Sequence, residues 1–139
     1  MTRALADTGP IVAILSPGDA YHEACVAALQ GLPKPLLSCW PVITEAAWLL
    51  RRRPRAVLQL IQSVSSDFLQ LLPLAGDEAE PIAAIMHRYE EVQPQLADAA
   101  LVYLANREQI DTVFTLDRRD FSIYRYGRRG VFRIVPQVE

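Results

Sequence analysis

Four carboxylates stand where the sequence makes an ionised group expensive. Asp7 ends the apolar run Ala4-Leu5-Ala6, and Asp117 ends Val113-Phe114-Thr115-Leu116. Asp98 lies in Gln95-Leu96-Ala97-Asp98-Ala99-Ala100-Leu101-Val102, and its neighbours at helical spacing, Leu101, Val102 and Ala105, are all apolar. Glu45 sits in Pro41-Val42-Ile43-Thr44-Glu45-Ala46-Ala47-Trp48-Leu49, with Pro41, Val42, Trp48 and Leu49 on its face. A charged carboxylate among apolar side chains is costly unless it is paired or bound to metal. Gathered in one place, such groups offer the oxygen ligands that Mg²⁺ and Mn²⁺ prefer. An ion held there can activate water and neutralise charge on a phosphodiester undergoing hydrolysis.

Each acid also has a structural alternative. Asp7 can open the turn Thr8-Gly9-Pro10. Glu45 can belong to a capping box, although with Pro41 at the first helical position it falls too far in. Asp98 lies beyond the first turn of a helix that starts at Pro94, where the dipole helps most. Asp117-Arg118-Arg119-Asp120 has the form of an N-cap followed by an acid three residues later.

The elements that must position these groups are legible in outline. Strands are expected at residues 3–7, 35–39, 68–72, 112–116 and 132–135, where short apolar runs end in turn residues. Helices are expected over 11–15, 19–29, 42–53 (behind Pro41), 55–65, 77–89 and 94–107. Strands alternating with helices through short connections predict an α/β domain with a mostly parallel central sheet. The carboxyl ends of such strands converge on the crevice where ligands bind, so Asp7 and Asp117 can meet there.

Bulk properties bound the rest. The chain has 139 residues, 51% hydrophobic and 22% charged, which suits one globular domain over 1–139 with a single core. A net charge of −2 excludes blanket attraction to nucleic acid, so any such contact must come from local basic patches. Arg51-Arg52-Arg53 with Arg55 forms one candidate patch, and Arg118, Arg119, Arg125, Arg128 and Arg129 form another. Either can grip phosphates or simply be a solvated face. The start of the chain lacks the apolar run of a signal peptide, and no stretch is long enough to span a membrane, so a cytoplasmic protein is expected. His22, Cys25, Cys39 and His87 lack the paired spacing of a zinc site and read as buried thiols and exposed imidazoles. Trp40, Trp48, Tyr103 and Phe114 read as core residues, with Tyr124 and Tyr126, flanked by arginines, as better candidates for contact with RNA or a partner. Gly9 stands where an aspartyl-phosphate phosphatase needs a second acid, and no glycine-rich phosphate loop occurs.

Four segments in order carry a family resemblance: Leu5-Ala6-Asp7-Thr8-Gly9-Pro10, Thr44-Glu45-Ala46-Ala47-Trp48-Leu49-Leu50, Leu96-Ala97-Asp98-Ala99-Ala100-Leu101-Val102 and Thr115-Leu116-Asp117-Arg118-Arg119-Asp120-Phe121. From about Ala4 to Pro136 the sequence resembles a PIN domain of the bacterial VapC-toxin type. The resemblance implies a three-layer α/β/α fold, dependence on Mg²⁺ or Mn²⁺, and endonucleolytic cleavage of RNA. It also implies a homodimer and inhibition by a small cognate antitoxin, for which the arginine patches can serve as a rim. By position Asp7, Glu45, Asp98 and Asp117 take the catalytic and metal-binding roles, with Asp120 as a possible helper. Asp7, Asp98 and Asp117 are the first choices for ligands, and Glu45 for a second ion or the attacking water. Thr8 and Thr115 are candidates to hydrogen-bond the carboxylates or the substrate. Gln95 departs from the pattern, since close relatives often carry an additional Asp there, which puts a second metal site in doubt. The alternative, a catalytically inactive PIN-like module for RNA binding or assembly, is favoured by a missing acid, and none of the four is missing.

Overall fold

A computed structural model describes residues 3–137. In chain order the elements begin with β1 (Ala4–Ala6), α1 (Thr8–Ile14), α2 (His22–Gln30), β2 (Leu36–Ser38), α3 (Trp40–Leu49), α4 (Pro54–Val64) and β3 (Leu69–Leu71). They continue with α5 (Ala79–Arg88), α6 (Leu96–Glu108), β4 (Thr112–Phe114), α7 (Arg118–Phe121), β5 (Arg125–Tyr126), β6 (Gly130–Val131) and β7 (Arg133–Val135). Short 3₁₀ turns at Gly76–Glu78 and Glu90–Val92 flank α5.

Five strands form one sheet in the order β3-β2-β1-β4-β7, and every pairing is parallel. The expected mostly parallel sheet is therefore wholly parallel. Helices cover it in a three-layer α/β/α arrangement, which explains why β1, β2 and β4 are buried along their whole length. Leu5, Leu36, Leu69, Val113 and Phe114 from the strands meet Ile43, Leu60, Leu101 and Leu104 from the helices in one apolar core.

Most elements fall where the sequence places them, and the differences have local causes. Helix α1 starts at Thr8 and not at Ile11, because Gly9 and Pro10 occupy first-turn positions whose N–H groups need no intrahelical acceptor. Gly9 also allows close approach: a Cβ there would lie 3.3 Å from Leu116 Cβ. The start of α1 thus packs against the segment that leaves β4. Helix α3 stops at Leu49, so Arg51, Arg52 and Arg53 lie on an exposed turn outside it. The segment between β4 and β7 holds α7 and a small antiparallel hairpin, β5 with β6, that the sequence pattern did not announce. Both are only a few residues long, too short for a periodicity to register.

Candidate metal-dependent active site

The sheet order creates the site. From β1 the chain goes to β2 on one side and, later, to β4 on the other, so the connections diverge and leave a crevice at the carboxyl ends of β1 and β4. Asp7 follows β1 directly, and its backbone N–H donates to the Phe114 carbonyl at 2.9 Å, tying it to the end of β4. Asp117 lies three residues past β4. Helices α3 and α6 pack against one another above this edge and supply Glu45 and Asp98. Asp7, Glu45, Asp98 and Asp117 line one open cleft of about 470 Å³ together with Thr8 and Gln95, and no Lys or Arg lines it.

Three of the acids also cap helices, and for Asp117 this is the alternative that the sequence offered. Asp7 caps α1 by accepting from Thr8 N–H at 2.8 Å. Asp98 accepts from Gln95 N–H at 3.1 Å. Because α6 begins at Leu96, Asp98 stands in its first turn and not beyond it, which corrects the helix start expected at Pro94. Asp117 caps α7 by accepting from Asp120 N–H at 3.1 Å. The capping and cleft-lining roles coexist, since a cap occupies only part of a carboxylate's acceptor capacity.

The cost of the arrangement shows in the protonation of the two most buried acids. Asp7 is 5% exposed and Asp98 9% exposed. Burial raises the Asp7 pKa to about 6; the hydrogen bonds from Thr115 and Thr8 oppose this, and the charges of Glu45 and Asp117 add to it. Burial raises Asp98 to about 7, helped by the charges of Asp7, Asp117 and Glu45 and opposed by the Gln95 N–H. These shifts mark anionic groups crowded together without a compensating cation.

Thr115 is the residue whose role the sequence showed least clearly. Its hydroxyl donates to Asp7 Oδ2 at 2.7 Å and accepts from Asp117 N–H at 3.0 Å. One fully buried side chain thereby orients the Asp7 carboxylate and anchors the backbone of Asp117. Its position two residues before Asp117 was the available signal.

Several expectations are corrected. The face of α3 around Glu45 is not a buried stripe: Val42 is buried, but Trp48 and Leu49 are 63% and 55% exposed. Trp40 is likewise exposed and not a core residue. Tyr124, a candidate for RNA contact, is fully buried between Tyr89 and Phe121, while Phe114 is core as expected. Tyr103 is half-buried and donates to Glu78. Arg118 and Arg125 are partly committed to backbone carbonyls, the first at Pro136 and the second at Ser122 and Ile123. Both cysteines are buried free thiols; His87 is exposed as expected, but His22 is half-buried, with Nδ1 against the Ala13 carbonyl. Asp120 lies behind Asp117 and outside the cleft lining, with its carboxyl pushed up by burial and by the Asp117 charge.

The donor set fits a hard divalent cation. It consists of oxygen alone, and two buried hydroxyls, Thr8 Oγ1 and Tyr124 OH, have no hydrogen-bond partner among the described residues. Burial and the neighbouring Asp98 charge both raise the pKa of Tyr124, which places its phenol close behind the acids. A hydrated ion would supply the missing positive charge, and its waters would supply partners for polar groups at the cleft. No three His, Cys, Asp or Glu among the described residues form a ready-made cage.

The family model described as the PIN domain matches residues 4–127. The chain belongs to the PIN-domain family. This PIN domain is 29% identical over 132 residues to Ribonuclease VapC26 of Mycobacterium tuberculosis, a match covering 94% of this chain and 98% of that protein. Its fold is also that of Mycobacterium tuberculosis VapC20, whose crystal structure is described as a Sarcin-Ricin loop cleaving toxin. The TM-score is 0.74 at 20% identity, over 79% of this chain and 86% of the other. Among the described residues no helix of this PIN domain is long and apolar enough to cross a membrane.

Proposed function

We propose that this PIN domain is a Mg²⁺- or Mn²⁺-dependent endoribonuclease, the toxin component of a toxin–antitoxin pair, acting in the cytoplasm. The observation that carries the proposal is the meeting of four acids, from four separate segments, in one cleft with no basic side chain lining it among the described residues. The likeness to Ribonuclease VapC26 over nearly the whole of both chains supports the choice of RNA as substrate. An inactive module has no use for four unneutralised carboxylates at the switch point of the sheet, where they oppose folding.

Asp7, Asp98 and Asp117 would hold the ion directly or through water, and Glu45 would position the attacking water or a second ion. When bound, the ion lowers the pKa of a coordinated water and offsets the charge developing on the phosphodiester. Thr115 keeps Asp7 and Asp117 in register, so ligand geometry is set before substrate arrives. Asp7 and Asp98 are part-protonated near neutral pH in the empty cleft, so filling it releases protons and strengthens as pH rises. Gln95 leaves the site with four acids and no fifth at its rim.

The partners follow from the same assignment: RNA, a second copy of the chain, and a small antitoxin that places a basic side chain among the carboxylates. Purification from the native host should yield the protein with a small basic partner and a toxin mass twice that of one chain; recovery as a lone monomer contradicts both assignments.

Cleavage itself is tested with purified protein and single-stranded RNA. Chelator should abolish cleavage, and excess Mg²⁺ or Mn²⁺ should restore it. Full cleavage in chelator overturns the metal role, and intact RNA under every metal condition overturns the ribonuclease assignment.

A further inference from the structure

The acidic cleft does not end at Glu45. Glu45 and Gln95 also line a second, more apolar groove of about 560 Å³, walled by Trp40, Pro41 and Trp48 from α3 and by Leu96 from the start of α6. The two depressions therefore adjoin at Glu45 and Gln95. Trp48 is three residues beyond Glu45 on α3, about 4.5 Å along the helix axis. It is among the most exposed large apolar side chains in the molecule, at 63%. With Trp40 and Leu96 also more than half exposed in the same groove, this apolar surface stays in water and adds nothing to the core, so its place is not explained by folding.

The surroundings of Trp48 fix the chemistry of what it would bind. The Arg51 guanidinium lies over the Trp48 ring, 3.9 Å from its centroid, while the side chain as a whole stays 63% exposed. Arg51 also donates to the Trp48 carbonyl at 2.9 Å, which holds the cation in place over the ring. Arg52, Arg53 and Arg55 follow on the exposed turn and first residues of α4, and none of the four arginines forms an ion pair among the described residues. The groove thus offers an aromatic plane one helical turn from a cluster of carboxylates, with the Arg51 cation on the same ring and Arg52 and Arg55 exposed just beyond it in the chain. A flat π system joined to a phosphate matches both features: the base stacks on the ring and its phosphate meets the arginines. An apolar helix or strand would satisfy the ring and leave the arginines unanswered.

We propose that Trp48, backed by Arg51, is a base-stacking subsite that seats a nucleotide adjacent to the scissile phosphate of a single-stranded RNA, with Arg52 and Arg55 on its backbone. This rests on the ribonuclease assignment above. Trp48 is a specificity-determining and positioning residue, not a catalytic one: it sets which nucleotide is held and where the strand lies across the acids. Stacking tolerates any base, and the larger purine surface gains most, so a purine is favoured at the position that meets the ring.

The test uses a short single-stranded RNA and a series of the same strand in which one position at a time is abasic. Wild-type protein should lose about 10-fold to 100-fold in kcat/KM, through KM, at one abasic position next to the cut. Trp48→Ala should lose a similar factor on the intact strand and become indifferent to that abasic position. Trp48→Phe should restore most of the loss, and Mn²⁺ binding should be unchanged in both variants. Because Trp48 is exposed, these variants should fold, and near-wild-type melting checks that directly. Equal abasic sensitivity in wild type and Trp48→Ala overturns the subsite, as does conversion of a dimer to a monomer with RNA kinetics unaltered. Absence of any cleavage by wild type would instead overturn the ribonuclease assignment on its own.

Discussion

Asp98→Asn should cleave RNA at least about 100-fold more slowly than wild type while remaining folded. Loss of a residue that merely supports a metal ligand already costs about 10-fold to 100-fold in metal affinity or activity, and Asp98 is proposed as a ligand itself. The amide is nearly the same shape, and its oxygen can still accept the Gln95 N–H at the start of α6, so the helix cap survives. What disappears is a negative charge in a cleft where Asp7, Glu45 and Asp117 remain. Saturating Mn²⁺ should recover part of the rate if the defect is affinity. Undiminished cleavage by the folded variant would remove Asp98 from the site.

The same substitution should make the metal-free protein more stable, an effect opposite in sign to its effect on activity. Asp98 has an ordinary pKa of 3.8 and one of about 7 in the fold. Between those values the folded chain binds more protons than the unfolded chain, so stability falls as pH rises. The contribution is fully present below pH 4 and is lost by the time pH passes about 7. Asp7 adds a loss of the same sign between 3.8 and about 6. Asparagine carries no charge at any of these pH values and escapes the Asp98 share. In chelator at pH 8 the variant should therefore melt above wild type, by about 4 °C for each kcal/mol of relief in a domain of this size. Near pH 4, where wild-type Asp98 is protonated, the two should converge. Added Mn²⁺ should raise the wild-type midpoint more than that of the variant, because binding to the folded state stabilises it by mass action. A variant that melts lower at pH 8 would show that Asp98 serves as a structural hydrogen-bonding group.

What the sequence revealed, and what it withheld, follows from the range of each interaction. Asp7 and Asp117 were legible because strand ends are marked by a change from apolar to turn residues, and sheet topology brings those ends together. Asp98 was legible because Leu101, Val102 and Ala105 at helical spacing are indeed buried. Glu45 does line the cleft, but the reason for singling it out was partly mistaken. Its apolar neighbours Trp48 and Leu49 face solvent, since periodicity reports a stripe but not what covers it. The same ambiguity hid the exposure of Trp40 and the burial of Tyr124. Arginine neighbours made Tyr124 look like a surface residue, whereas two edge-on aromatic contacts hold it inside. The hydrogen bond from Thr115 to Asp7 joins residues 108 apart in the chain, and no local pattern encodes such a contact. The start of α6 was placed slightly early, which sufficed to move Asp98 out of its first turn.

The central claim is that Asp7, Asp98 and Asp117 hold a divalent ion in the cleft, and crystals soaked in Mn²⁺ test it most directly through anomalous scattering. One strong peak, about 2.0–2.2 Å from a carboxylate oxygen of at least one of these three residues and within a water's reach of the others, is the expected result. A cleft without a peak at saturating Mn²⁺, in crystals of protein that cleaves RNA, would contradict it.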